Sequence, residues 1–263
     1  MPFQKASDIV PNEYFRILFL GRSGCGKSTA ALSFPGPRLM WDFDKRARTF
    51  AGKTETNIFT PGSDEGWTEI APIMQAEIDK KPYPYQTTVF CSVTSAQRMF
   101  TQDSLRYIAN APAKKAGVKL EESDMKGGAN KIGSLLIPGM LNYRYRAECL
   151  NQLFFTEIFN IPNNLIVEAH IVNDYNEKGD VKGEQVLAPD KFAEEAKGYF
   201  DEIWHFEKEQ ISSAAPSRWK VYFHSKGFAR TTVPALKGVS ASEGLDITGK
   251  DLYTEVQRLI NGT

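Results

Sequence analysis

The sequence predicts an α/β protein with a mainly parallel sheet flanked by helices, and three observations carry that prediction. Short apolar runs recur along the chain, stretches of helical periodicity separate them, and the first run passes directly into a glycine-rich loop that opens a helix. A chain of 263 residues, 41% hydrophobic and 24% charged, is long enough to bury a sizeable core as one domain. No apolar run approaches the ~18 residues that span a bilayer, and the first 14 residues lack the apolar stretch of a signal peptide. Cys25, Cys91 and Cys149 are too scattered for a disulfide framework or a paired-cysteine zinc site. The expected setting is therefore the cytoplasm, with reduced thiols and no membrane.

Taken in order, residues 1–14 read as an N-terminal extension and 15–263 as the domain. Phe15 to Leu20 is a buried strand, and the loop after Gly21 leads into a helix from Lys27 that Pro35-Gly36-Pro37 stops. Arg38 to Asp44 is a second strand ending in two acids. Trp67, Ile70, Met74 and Ile78 fall at helical spacing behind Asp64, a candidate N-cap. Pro82 and Pro84 precede a third strand, Thr87 to Cys91, and a helix is expected from Ser95 to Asn110. Residues 111–139 show no sustained period and are expected to be a mobile loop. A helix over 140–160 leads to a fourth strand, Asn164 to His170, and 173–185 reads as a second mobile loop or an exposed hairpin. Asp190 caps a helix through Tyr199. Phe200 to Lys208 and Trp219 to Lys226 predict a C-terminal antiparallel edge hairpin, and Thr248 with Asp251 resembles a capping box before Leu252, Val256 and Leu259.

The chemistry concentrates at Gly21-Arg22-Ser23-Gly24-Cys25-Gly26-Lys27-Ser28-Thr29, which fits G-x-x-x-x-G-K-[ST] in its required context between strand and helix. Glycines let the backbone wrap a phosphate, the helix N-terminus supplies positive potential, and Lys27 adds a charge at the β- and γ-phosphates. Ser28 would ligate Mg²⁺. ATP and Mg²⁺ are the expected ligands. A carboxylate from a neighbouring strand end must complete the metal shell and a second must polarise water, for which Asp42 and Asp44 are the candidates. His205 and His224 offer no metal spacing with His170.

With Leu39 to Asp44, Val89 to Ser95, Val167 to His170, Phe200 to Ile203 and Trp219 to Thr231, this loop makes the chain resemble RecA-like P-loop ATPases. It is most similar to the phage nucleotide-binding proteins of single-strand annealing and recombination, which would place it in the host cytoplasm. The resemblance implies that Asp44 activates water, that His170 senses the γ-phosphate, and that residues 173–185 form a DNA-binding loop. It implies a ring or filament of identical subunits on single-stranded DNA, with Lys226 and Arg230 reaching a neighbour's nucleotide, and a possible single-strand-binding protein as partner. One position departs from the family pattern: Cys91 stands where aspartate is expected, and a thiol is a poor magnesium ligand. Either Asp42 takes that role, or hydrolysis is weak or absent.

Formal net charge is zero, which excludes a polycationic nucleic-acid binder, but charge is segregated. Residues 112–147 carry an excess of four positive charges, with Lys114, Lys115, Lys119 and Lys126 as candidates for a single-stranded backbone and Tyr143 and Tyr145 for base stacking. Residues 210–242 contain five basic residues and no acid, so docking of basic on acidic faces between subunits is an alternative. A nucleotide-binding assembly module without turnover and a small-molecule P-loop kinase are the competing functions. The kinase reading lacks a compact Arg-bearing lid.

Overall fold

The structure is a computed structural model that describes residues 14–62, 65–110, 130–132, 135–137, 140–153, 158, 161–175, 180–186, 198–210, 216–224, 226 and 228–262. β1 (Arg16–Gly21) enters the phosphate loop and α1 (Lys27–Ala31); β2 (Arg38–Asp42), a 3-10 turn at Ala47–Phe50 and β3 (Thr56–Phe59) follow. Then come α2 (Trp67–Ile78), β4 (Thr87–Cys91), α3 (Val93–Asn110), the short strands β5 (Asn130–Ile132) and β6 (Leu135–Ile137), and α4 (Met140–Gln152). The chain continues through β7 (Asn164–Ala169), β8 (Ile171–Tyr175), β9 (Val181–Val186), β10 (Glu202–Glu209) and β11 (Arg218–Tyr222). It closes with α5 (Pro234–Lys237), β12 (Leu245–Asp246) and α6 (Leu252–Asn261).

The main sheet has eight strands in the order β12-β11-β10-β1-β7-β4-β2-β3. From β10 to β3 every neighbouring pair is parallel, while β11 and β12 close one edge antiparallel. The expected α/β architecture, a mainly parallel sheet with an antiparallel edge, is therefore present. Parallel strands need helices on both faces, and strand alternation supplies two apolar surfaces. Leu18, Leu20, Trp41, Phe90, Leu165 and Val167 pack against α2, α3 and α4. Ile17, Phe19, Met40, Val89 and Ile166 pack on the other face, with α1, α5 and α6. Phe19 stacks on Trp204 at 5.6 Å and tilts against Phe206 at 4.6 Å, an aromatic seam that locks β1 to β10.

Several local expectations change. β3 is absent from the sequence reading because its four residues are mostly half-buried at the sheet edge and make no continuous apolar run. α2 takes Gly66 as its N-cap, whose N–H donates to Glu69 Oε2 at 2.6 Å; Asp64 lies outside the described residues. α3 begins at Val93, two residues before the expected Ser95. Within 111–139 the described residues form the antiparallel pair β5–β6, and within 173–185 the hairpin β8–β9 has formed. The helix expected behind Asp190 falls mainly outside the described residues. α6 is capped by Asp251, whose Oδ1 accepts from Thr254 N–H at 2.8 Å, because Thr248 Oγ1 already accepts from Trp219 N–H at 2.9 Å. Among the described residues no helix is long and apolar enough to cross a membrane.

Candidate functional site

β1 delivers the loop and α1 receives it, and two glycines show why only this sequence closes the turn. A Cβ on Gly21 would lie 2.6 Å from both Cys25 Sγ and the Phe206 carbonyl oxygen. Gly26 caps α1 at φ 93°, a left-handed backbone that glycine tolerates, and a Cβ there would lie 2.9 Å from the Trp219 ring. The loop can thus lie flat beneath Trp219. Lys27 is only 4% exposed and folds back, its Nζ donating to the carbonyl oxygens of Gly21 at 2.7 Å and Arg22 at 3.1 Å. Above the loop lies a cavity of about 640 Å³ whose lining includes Lys27, Ser28, Thr29, His170, Trp219 and Lys250. Burial pushes the Cys25 thiol up, against the charge of Lys27.

The carboxylate that meets this loop was not singled out from the sequence. Along β7, alternation turns Leu165, Val167 and Ala169 to one face and Ile166 and Glu168 to the face that carries α1. Ser28 Oγ donates to Glu168 Oε2 at 2.9 Å, and Cys91 Sγ lies 3.5 Å from the same oxygen. Glu168 is 1% exposed, and its Oε1 is buried without a hydrogen-bond partner. Burial pushes its carboxyl up, opposed by the charge of Lys27 and the Ser28 hydrogen bond. A serine hydroxyl beside a carboxylate with an unused buried oxygen is an all-oxygen donor set, which fits a hard ion such as Mg²⁺. The sequence signal was a lone acid inside an apolar strand.

Asp44 sits across from this pair. Its Oδ1 accepts from Ser92 Oγ at 2.8 Å and from Ser95 Oγ, and its Oδ2 lies 3.2 Å from His170 Nε2. Burial alone would raise its carboxyl, but the bonds from His170, Ser95 and Ser92 outweigh burial and hold it well below the usual carboxylate range. His170 Nδ1 is 3.4 Å from Lys27 Nζ. An ammonium can only donate, so Nδ1 is the acceptor and the ring proton sits on Nε2, facing Asp44. The sequence candidates Lys27, Ser28, Asp44 and His170 thus form one connected cluster, with Glu168 added.

Asp42, the metal candidate from the sequence, makes no hydrogen bond to Ser28 among the described residues. It stands on β2, in register with Cys91 and a strand beyond it, where Thr60 Oγ1 approaches Oδ2 at 3.5 Å. Burial raises its carboxyl, partly offset by the N–H groups of Arg46 and Ala47 at the start of the 3-10 turn. Cys91 is buried and its thiol is pushed well up by burial and by Glu168 and Asp44. Arg22 Nη2 donates to Asn173 Oδ1 on β8, and Arg46 Nη2 donates to Ser23 Oγ at 2.8 Å. Lys226 is held within its own chain, donating to Glu207 Oε2 at 2.5 Å over the Tyr222 ring. Arg230 is exposed, with its backbone bridged to Ile203. Lys114, Lys115, Lys119 and Lys126 lie outside the described residues.

The sequence matches no protein-family model and no curated protein. Among solved structures it is similar to a KaiC-like protein of Pyrococcus horikoshii, at 11% identity over 83% of this chain and 82% of that one with a TM-score of 0.35. It is also similar to the flagellar accessory protein FlaH of Methanocaldococcus jannaschii, at 10% identity over 84% and 82% of the two chains with a TM-score of 0.35.

Proposed function

We propose that this chain binds ATP with Mg²⁺ on the Gly21–Thr29 loop and hydrolyses it slowly, with Glu168 as the carboxylate of the metal shell. The contact between Ser28 and Glu168, with Glu168 Oε1 left over, is the observation that carries this reading. Bound magnesium supplies charge neutralisation at the phosphates. Lys27 exchanges its two loop carbonyls for phosphate oxygens, and Gly24 and Gly26 let backbone N–H groups converge there. Ser28 and Glu168 hold the metal side. Asp44 is the acceptor for a water proton, oriented by Ser92, Ser95 and His170. A carboxylate held so far below its usual range is a weak base, so slow turnover follows from Asp44 as much as from Cys91.

The same proposal extends to single-stranded DNA, in the manner of a phage recombination or annealing ATPase acting as an oligomer. Its support is the positive excess of residues 112–147 and the tie from Arg22 of the loop to the β8–β9 hairpin. Turnover with and without single-stranded DNA separates the possibilities: stimulated for the recombination reading, absent for a locking module, dependent on a small acceptor for a kinase. Lys27→Ala should lose roughly ten- to a hundredfold in ATP affinity, the worth of one charge-assisted contact. Unchanged affinity in a folded Lys27→Ala protein rejects the site. Neutralising Lys114, Lys115, Lys119 and Lys126 together should flatten the salt dependence of DNA binding by roughly 0.7 per lost phosphate contact.

A further inference from the structure

Beside the phosphate loop the β8–β9 hairpin encloses a second cavity of about 390 Å³, lined in part by Arg22, Ser23, Glu184, His205 and Glu207. His205 lies on β10, in register between Leu20 and Tyr222. It is 1% exposed, yet neither ring nitrogen has a hydrogen-bond partner. A buried imidazole with both nitrogens unsatisfied is rare in a folded chain and calls for something that satisfies it. Nδ1 is 3.7 Å from Glu184 Oε2 and Nε2 is 3.5 Å from Glu207 Oε1. A single ion takes one ring nitrogen, and the Nε2–Glu207 separation approaches the ~3.4 Å between two ligand atoms sharing one tetrahedral zinc ion.

We propose that Glu184, His205 and Glu207 form a site for a divalent first-row metal ion such as Zn²⁺, which fastens the β8–β9 hairpin to the main sheet. One ligand atom from each residue lies within 4.8 Å of the others, and binding requires the glutamates to turn their oxygens toward one ring nitrogen. The mixed imidazole and carboxylate set suits zinc and its neighbours rather than magnesium, which keeps this site distinct from the Ser28–Glu168 pair. Of the nearby cations, Arg22 is engaged on Asn173 and Lys208 lies over the Trp219 ring at 5.6 Å, while Lys226 holds Glu207 through Oε2 and leaves Oε1 facing His205. Burial lowers the His205 pKa against the pull of Glu184 and Glu207.

The test is zinc titration of the full chain by calorimetry, after chelator treatment and with magnesium present throughout, with Co²⁺ absorption reporting nitrogen and oxygen ligation. One equivalent of zinc is expected. Glu184→Gln, on the exposed hairpin, should weaken binding by more than the roughly tenfold that loss of an outer partner costs, and leave magnesium-dependent ATP binding intact. His205→Asn, with its fold checked by circular dichroism, should do the same. No saturable zinc binding by the parent chain overturns the proposal. So does binding that survives Glu184→Gln, or binding that is lost on Cys91→Ala, which would place the ion at the phosphate loop. Because the readout is zinc, failure here leaves the nucleotide site standing, and failure of ATP binding leaves this one.

Discussion

Glu168 illustrates how a residue can be useful to a ligand and costly to the fold. Its folded pKa lies above the ordinary 4.5, so the native state binds the proton more tightly and stability falls as pH rises from the ordinary value through the folded one. Glu168→Gln keeps an oxygen for Ser28 and removes the buried charge. It should raise the melting temperature of the ligand-free protein near neutral pH while lowering magnesium-dependent ATP affinity; calorimetry with and without Mg·ATP reads both, and a lower melting temperature contradicts the assignment. Asp44 has the opposite sign. Its folded pKa is depressed from 3.8, so its stabilisation is present above about pH 4 and lost as pH falls through the folded value. The difference in unfolding free energy between the parent and Asp44→Asn should be largest near neutral pH and shrink below about pH 4 in urea titrations. Cys91→Asp, attractive from sequence as a restored ligand, would set a third carboxylate 3.5 Å from Glu168 and 3.9 Å from Asp44, judged by the present thiol. Reduced stability and no gain in turnover are expected, and faster turnover would show that Glu168 leaves the shell incomplete. The phosphate loop was legible because its motif is local, a run of nine residues whose spacing follows from the backbone itself. Glu168 was not, because its meeting with Ser28 depends on β7 inserting between β1 and β4, 140 positions away.

At the level of elements, what could be read was what repeats. The buried strands announced themselves as apolar runs, and α2, α3 and α6 by spacing, whereas β3 lay at an edge where half-burial erases the signal. Caps were less legible, since a side chain's rival partner is tertiary: Thr248 was drawn away by Trp219, leaving Asp251 to begin α6. Asp251→Ala should cost about 1 kcal/mol of stability, measured by urea denaturation, and Thr248→Ala should not produce the same loss through α6. The loop and α1 carry a stricter demand at Gly26. Gly26→Ala would have to hold alanine at φ 93° and push Trp219 aside, so a loss of roughly 1–3 kcal/mol is expected together with weaker nucleotide binding.

For the molecule as a whole, the decisive fact is a sheet covered on both faces. The α1 face holds the loop, Glu168 and Cys91, while the opposite face packs α2, α3 and α4, of which α3 also brings Ser95 to Asp44 and Thr94 to the His170 backbone. The site gathers at the C-terminal ends of the parallel strands, where both layers of helices reach it. Ligand binding to the folded state alone should raise stability by about 2.7 kcal/mol at a hundredfold excess over Kd. That increment should need magnesium and vanish in Lys27→Ala, read as the shift in unfolding midpoint. The sheet order itself was beyond the sequence, since β1, β2, β4 and β7 are all buried, largely apolar runs and nothing local says which neighbour each takes.

The burial of all three cysteines has a practical corollary for anyone who wishes to watch this molecule move. Cys25 and Cys91 have raised pKa values and Cys149 is pushed up to about 11, so none offers a thiolate to an alkylating reagent at neutral pH. The chain is in effect already a cysteine-light background for labelling. Val181, 58% exposed on β9, is the natural place to add a thiol: Val181→Cys should take up one maleimide dye within minutes while the parent takes up none. A fluorophore there would report the hairpin's response to nucleotide and to zinc separately, without a single native residue of either site being changed.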